Sequence, residues 1–149
     1  MAAGPAASAG VRQAEASADL YSQAIASDDA VTMLEASLGD LTDGYALLGR
    51  FQIAAGKAGD GDAAAAEGVY LEIAADASVA ALYRDAATVL SVMNAPESSN
   101  PADLQDRLER MVAEGDLPGA RLAVVVDGGV TPVASGALGY THQTQATKA

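Results

Sequence analysis

The chain has 149 residues, no cysteine and no tryptophan, with twenty acidic against eight basic side chains, a net charge of −12. That length suits one domain with its own core, and the missing cysteines exclude disulfides and thiolate metal sites. So acidic a surface repels phosphate backbones and anionic lipid, which argues against nucleic acid as a partner.

Half of the residues are apolar, but much of that half is alanine, and only five Tyr and one Phe supply aromatic bulk. The expected core is thin and depends on Leu, Val, Ile and helix propensity. No run of about 18 apolar residues occurs, so no segment is expected to span a bilayer. Residues 1–10 lack the charged and apolar regions of a signal peptide and read as a disordered leader rich in Ala, Gly, Pro and Ser.

Residues 11–27 read as a helix, with Leu20, Tyr21, Ala24 and Ile25 at helical spacing. Asp28 and Asp29 favour a new N-terminus, and residues 30–38 read as a short second helix closed by Gly39 and Asp40. A third helix is expected over 45–58, with Leu48, Phe51, Ala54, Ala55 and Ala58 on one face. The sequence GDGD at 59–62 makes the turn, and Asp62 caps the next helix, 62–75, whose inward face is Ala66, Val69, Tyr70 and Ile73. Ser78 is the expected cap of a helix over 79–93. Its inward face reads as Val79, Leu82, Tyr83, Ala86, Val89, Leu90 and Met93. Residues 94–101 form a loop, and Pro101 opens a helix to about 114, with Leu104, Leu108, Met111 and Val112 as its stripe.

The pattern then changes. Residues 120–126 are β-branched and apolar, Asp127, Gly128 and Gly129 suit a hairpin turn, and 130–137 reads as a return strand. Pro132 would confine that strand to an edge. The predicted architecture is all-α: stacked helical hairpins over 11–115, followed by a β-hairpin-like or flexible extension over 116–149.

The spacing of Phe51, Ala54, Gly61, Ala66 and Tyr70 resembles the tetratricopeptide hairpin. There, small residues sit where two helices cross and an aromatic plugs the gap one turn on. Ala54 and Ala66 would be the crossing pair and Tyr70 the plug. The stretches AEASADLYSQAI at 14–25 and YLEIAADASVAALYRDAATVL at 70–90 resemble something narrower. They are similar to the tetratricopeptide-like domain of the ancillary Sec translocon subunit and cell-division coordinator family of bacteria, over roughly residues 12–115. The resemblance implies a domain on the periplasmic side of the inner membrane, with the Sec translocon and periplasmic chaperones as partners. Residues 104–130, followed by Gly136, Gly139 and Tyr140, are similar to the start of serine β-lactamase and esterase-like hydrolase domains.

Sites of chemistry are sparse. His142 is the sole histidine, and a metal site needs several ligands in fixed geometry. Asp60 and Asp62 flank a glycine as in a calcium loop, but alanines follow where further oxygen ligands are required. Gly128 and Gly129 are too short a run for a phosphate cradle, and the Ser-x-x-Lys motif of serine β-lactamases is missing. Arg84 beside Asp85 reads as a structural ion pair, or as a cation stacked on Tyr83 or Tyr70. The expectation is a protein–protein interaction scaffold with no catalytic residue, cofactor or metal. Its candidate contact residues are Tyr45, Phe51, Tyr70, Tyr83 and Arg84, each of which could instead serve the core. The alternatives are an N-terminal piece of a serine hydrolase behind a helical leader, and a truncated or frameshifted product without activity.

Overall fold

The computed structural model describes residues 5–114 and the strand segments 122–126 and 129–133. The chain divides into two compact units, Met1–Asn100 and Pro101–Ala149. The first unit is all-α and holds five helices: α1 (Pro5–Ile25), α2 (Ala30–Ser37), α3 (Asp43–Gly59), α4 (Ala63–Ala75) and α5 (Ala81–Met93). The second begins with α6 (Pro101–Glu114), which leads to the strands β1 (Leu122–Val126) and β2 (Gly129–Val133).

Helix α1 starts at Pro5, inside the stretch expected as a leader. Alanine is the best helix former, and proline suits the first helical turn, where its missing N–H leaves no bond unmade. Helix α2 is capped by Asp29, whose side chain accepts from the Thr32 backbone N–H at 3.2 Å. A short 3-10 turn over Leu38–Asp40 then brings the chain round to α3. Asp62 caps α4 by accepting from the Ala65 N–H at 3.0 Å. Gly61, the residue before it, has φ +86°, a conformation in which a Cβ would be strained.

Consecutive helices pack as hairpins: α1 on α2, α2 on α3, α3 on α4 and α4 on α5. Short connections make neighbours of this kind antiparallel. Ala24, Leu34 and Ile53 form a buried cluster, with Tyr21, Val31, Leu38 and Val69 packed against it. Ala54 of α3 and Ala66 of α4 are both 0% exposed, so the helices approach where the side chains are smallest. Ser17 ties the beginning of the array together. It is buried in α1, and its hydroxyl accepts the Thr42 N–H at the head of α3, 2.9 Å away.

Two helix faces depart from the sequence expectation. In α3 the buried residues are Gly49, Ile53 and Ala54, while Leu48 lies half exposed and Ala55 outside. In α5 the buried residues are Ala87 and Ser91. Leu82, Tyr83 and Met93, expected inside, are 60%, 48% and 73% exposed. The physical reason is close packing. Helix α5 meets α4 through small residues, and the Ser91 hydroxyl is satisfied within its own helix by donating to the Thr88 carbonyl. Leu82 and Met93 are therefore left on the other face, while Val89 and Leu90 are half-buried.

Ser78 is a further correction. Helix α5 begins at Ala81 with Ala80 at its N-cap and no side-chain cap. Ser78 turns back to Asp76 instead, donating its hydroxyl to Oδ1 at 2.6 Å and its backbone N–H to the same oxygen at 3.0 Å.

In the second unit, β1 and β2 pair antiparallel from Leu122 opposite Val133 to Val126 opposite Gly129. Helix α6 lies against both strands, so the hairpin expected at 120–137 has a helix at its side. The buried residues of α6 are Leu108 and Met111, both from its predicted stripe. The expected turn at Asp127 and Gly128 and the tail from residue 134 lie outside the described residues.

Candidate binding groove

Three of the five candidate contact residues converge. Tyr45 and Phe51 lie on α3 and Tyr83 on the first turn of α5, and together they line an apolar groove of about 440 Å³. Thr42, Gly44, Leu47 and Leu48 complete the lining. Helices α3 and α5 both pack on α4, and the groove is bordered by these two alternate helices. Tyr45, Leu48 and Phe51 follow one another at intervals of three residues, which places them along a single helix ridge.

Two of the aromatics are braced. The Tyr45 ring sits 5.6 Å from that of Tyr21 on α1, tilted by 43°. The Phe51 ring sits 6.2 Å from that of Tyr70 on α4, tilted by 50°. Both distances fall in the range where offset aromatic pairs attract. Tyr70 is buried, and burial raises its phenol pKa above the ordinary value. It therefore belongs to the core, on the inward face expected of α4, and supports the groove through Phe51.

Arg84 stands apart from the groove lining. It is half-buried, and its Nε has no hydrogen-bond acceptor. Arg50 of α3, by contrast, is engaged: its Nη1 donates to Asp76 Oδ2 at 2.8 Å. The Ser78 hydroxyl, the Arg50 guanidinium and the Ser78 N–H together lower the Asp76 carboxyl to a pKa of about 2. Lys57, in the last turn of α3, bonds Glu35 of α2 at 2.9 Å, and that hydrogen bond raises its pKa.

The polar atoms of the lining side chains are the Thr42 hydroxyl and the tyrosine phenols. Among the described residues no group of three His, Cys, Asp or Glu side chains could hold a metal ion. Asp60 lies at the C-terminus of α3 and Asp62 serves as the α4 cap. Sequence reasoning had Tyr45, Phe51 and Tyr83 as candidates but passed over Leu47, Thr42 and Gly44, and placed Leu48 and Tyr83 on inward faces. The three-residue ridge from Tyr45 to Phe51 was the available signal. The chain matches no protein-family model, no curated protein and no solved structure.

Proposed function

We propose that this chain is a protein–protein interaction module that captures an apolar segment of its partner in the α3–α5 groove. The observation that carries the reading is the convergence of Tyr45, Leu48, Phe51 and Tyr83 on one open apolar surface. Tyrosine and phenylalanine offer large contact areas with few rotors to freeze, so they serve well as binding anchors. A small-molecule site of this size would carry convergent polar groups to fix orientation, and the lining holds few. Stacked helical arrays use such surfaces, formed by alternate helices, to hold other proteins.

The sequence resemblance supports a more specific setting. A tetratricopeptide-like array of the translocon-associated family would work at the periplasmic side of the bacterial inner membrane, beside the Sec translocon and its chaperones. Among the described residues no helix is long and apolar enough to cross a membrane. On this reading the chain binds and positions proteins and performs no chemistry.

Site-specific photo-crosslinking in cells tests the proposal. A crosslinking residue at Leu48 or Tyr83 should yield discrete adducts, and one at the exposed Glu72 of α4 should yield none. Equal labelling at the three positions would remove the groove as the contact surface.

A second reading rests on the other unit. Helix α6 followed by an antiparallel hairpin is the order found at the beginning of serine β-lactamase-like domains. The sequence contains no Ser-x-x-Lys, so this chain by itself should not open nitrocefin. Turnover above that of a serine-free control would favour the hydrolase reading.

A further inference from the structure

Resting on the groove reading above, we propose that the groove takes a helix: an amphipathic partner helix with apolar residues on one face and Lys or Arg on the other. Two observations select this occupant.

The first concerns the backbone. The groove walls are helices, and apart from the first-turn N–H groups of α3 at Gly44 and Tyr45 their backbone groups are bonded within each helix. They offer no sheet edge to an incoming strand. An extended peptide would lay its own amides against Leu47, Leu48 and Phe51 with few partners, and unbonded polar groups are costly there. A helix arrives with its backbone satisfied and presents side chains at the spacing of a ridge. The anchors Tyr45, Leu48 and Phe51 already form the complementary ridge.

The second is charge. Residues 1–100 carry fourteen acidic and four basic side chains, a net −10. Asp40 and Asp43 are exposed and flank Thr42 in the lining. Of the four cations, Arg50 and Lys57 are tied to Asp76 and Glu35. A second copy of the chain would bring the same negative charge to the contact, and like-charge repulsion opposes such pairing. A basic helix gains from the same field twice, in its rate of encounter and in its orientation, with both effects falling as salt rises.

The test uses the full chain and three fluorescently labelled synthetic peptides of about 18 residues, long enough to form helix on binding. One is amphipathic with Leu on one face and Lys on the other. The second replaces each Lys by Glu. The third has the composition of the first in a scrambled order that abolishes the apolar face. Fluorescence anisotropy reads the affinity.

The Leu/Lys peptide should bind at least tenfold more tightly than either other peptide. Tyr83→Ala and Leu48→Ala should each weaken it several-fold while leaving the circular dichroism spectrum and melting curve of the protein unchanged. Asp40→Asn combined with Asp43→Asn should flatten its salt dependence. Equal binding of the Leu/Glu peptide, still sensitive to Tyr83→Ala, would overturn the charge selection and leave the groove reading standing. Equal binding of the scrambled peptide, insensitive to both groove variants, would overturn the groove reading with it. Concentration-dependent dimerisation in sedimentation, abolished by Tyr83→Ala, would make the occupant a second copy and overturn the basic-helix assignment.

Discussion

Small residues set the distances between helices, and two of them give sharp expectations. Gly56 lies in α3, where a Cβ would run into Cγ2 of Val31 on α2. Valine is stiff at χ1 and cannot swing that methyl away cheaply. In an open helix, Gly→Ala stabilises by about 1 kcal/mol through propensity. Here overpacking, typically about 1–3 kcal/mol, works against that gain. Gly56→Ala should therefore fail to stabilise and should lower stability by up to about 2 kcal/mol, the difference between those terms, in urea melts. Ala66 raises the same question with no propensity gain. It is wholly buried in α4, facing an α3 whose Ala54 is equally enclosed. Ala66→Leu should cost about 1–3 kcal/mol by forcing the helices apart. A melt identical to that of the parent would mean the α3–α4 interface is looser than drawn.

Among elements, the turn between α4 and α5 is held by Asp76, and its protonation links that turn to α3. The Ser78 hydroxyl and the Arg50 guanidinium favour the charged carboxylate, lowering its pKa from 3.8 to about 2. A group held more acidic in the folded state contributes stability that is fully present above its unfolded pKa. That contribution fades as pH falls from 3.8 through about 2. Asp76→Asn should thus melt below the parent at neutral pH, and the two melting temperatures should draw together across that acid window. A gap independent of pH would show that the charge of Asp76 contributes nothing. The ion pair is partly open to solvent, so the neutral-pH gap should be small, as for surface ion pairs generally. The same turn shows where sequence reading stopped. Asp-Ala-Ser was recognisable as a capping sequence, but which side chain would cap which amide depended on Arg50, twenty-six residues earlier.

At the scale of the helical unit Met1–Asn100, the sequence specified helix positions well and helix orientations unevenly. Asp62 caps the helix it was expected to cap, Asp29 of the expected Asp28–Asp29 start caps α2, and the buried face of α4 is the predicted one. Those features are local, since a cap or a single uniform apolar face needs no knowledge of its neighbours. Helix α5 failed the same reasoning because it has two candidate faces, one large and apolar, the other small. Periodicity identifies the first, yet close approach to α4 selected Ala87 and Ser91. The groove was half legible for the same reason: its aromatics stood out, but which of them face outward depended on that choice. The inverted helix yields a direct test. Leu82→Gln with Met93→Gln replaces two large apolar residues that the structure leaves exposed. Surface changes of this kind usually stay within about 0.5 kcal/mol, so the double variant should unfold at nearly the parental urea midpoint. Leu34→Ala, in the buried cluster with Ala24 and Ile53, should cost about 2–5 kcal/mol. If instead the α5 double variant loses stability on the scale of Leu34→Ala, Leu82 and Met93 are covered in solution, and the outward face of α5 is an occupied interface in the isolated protein.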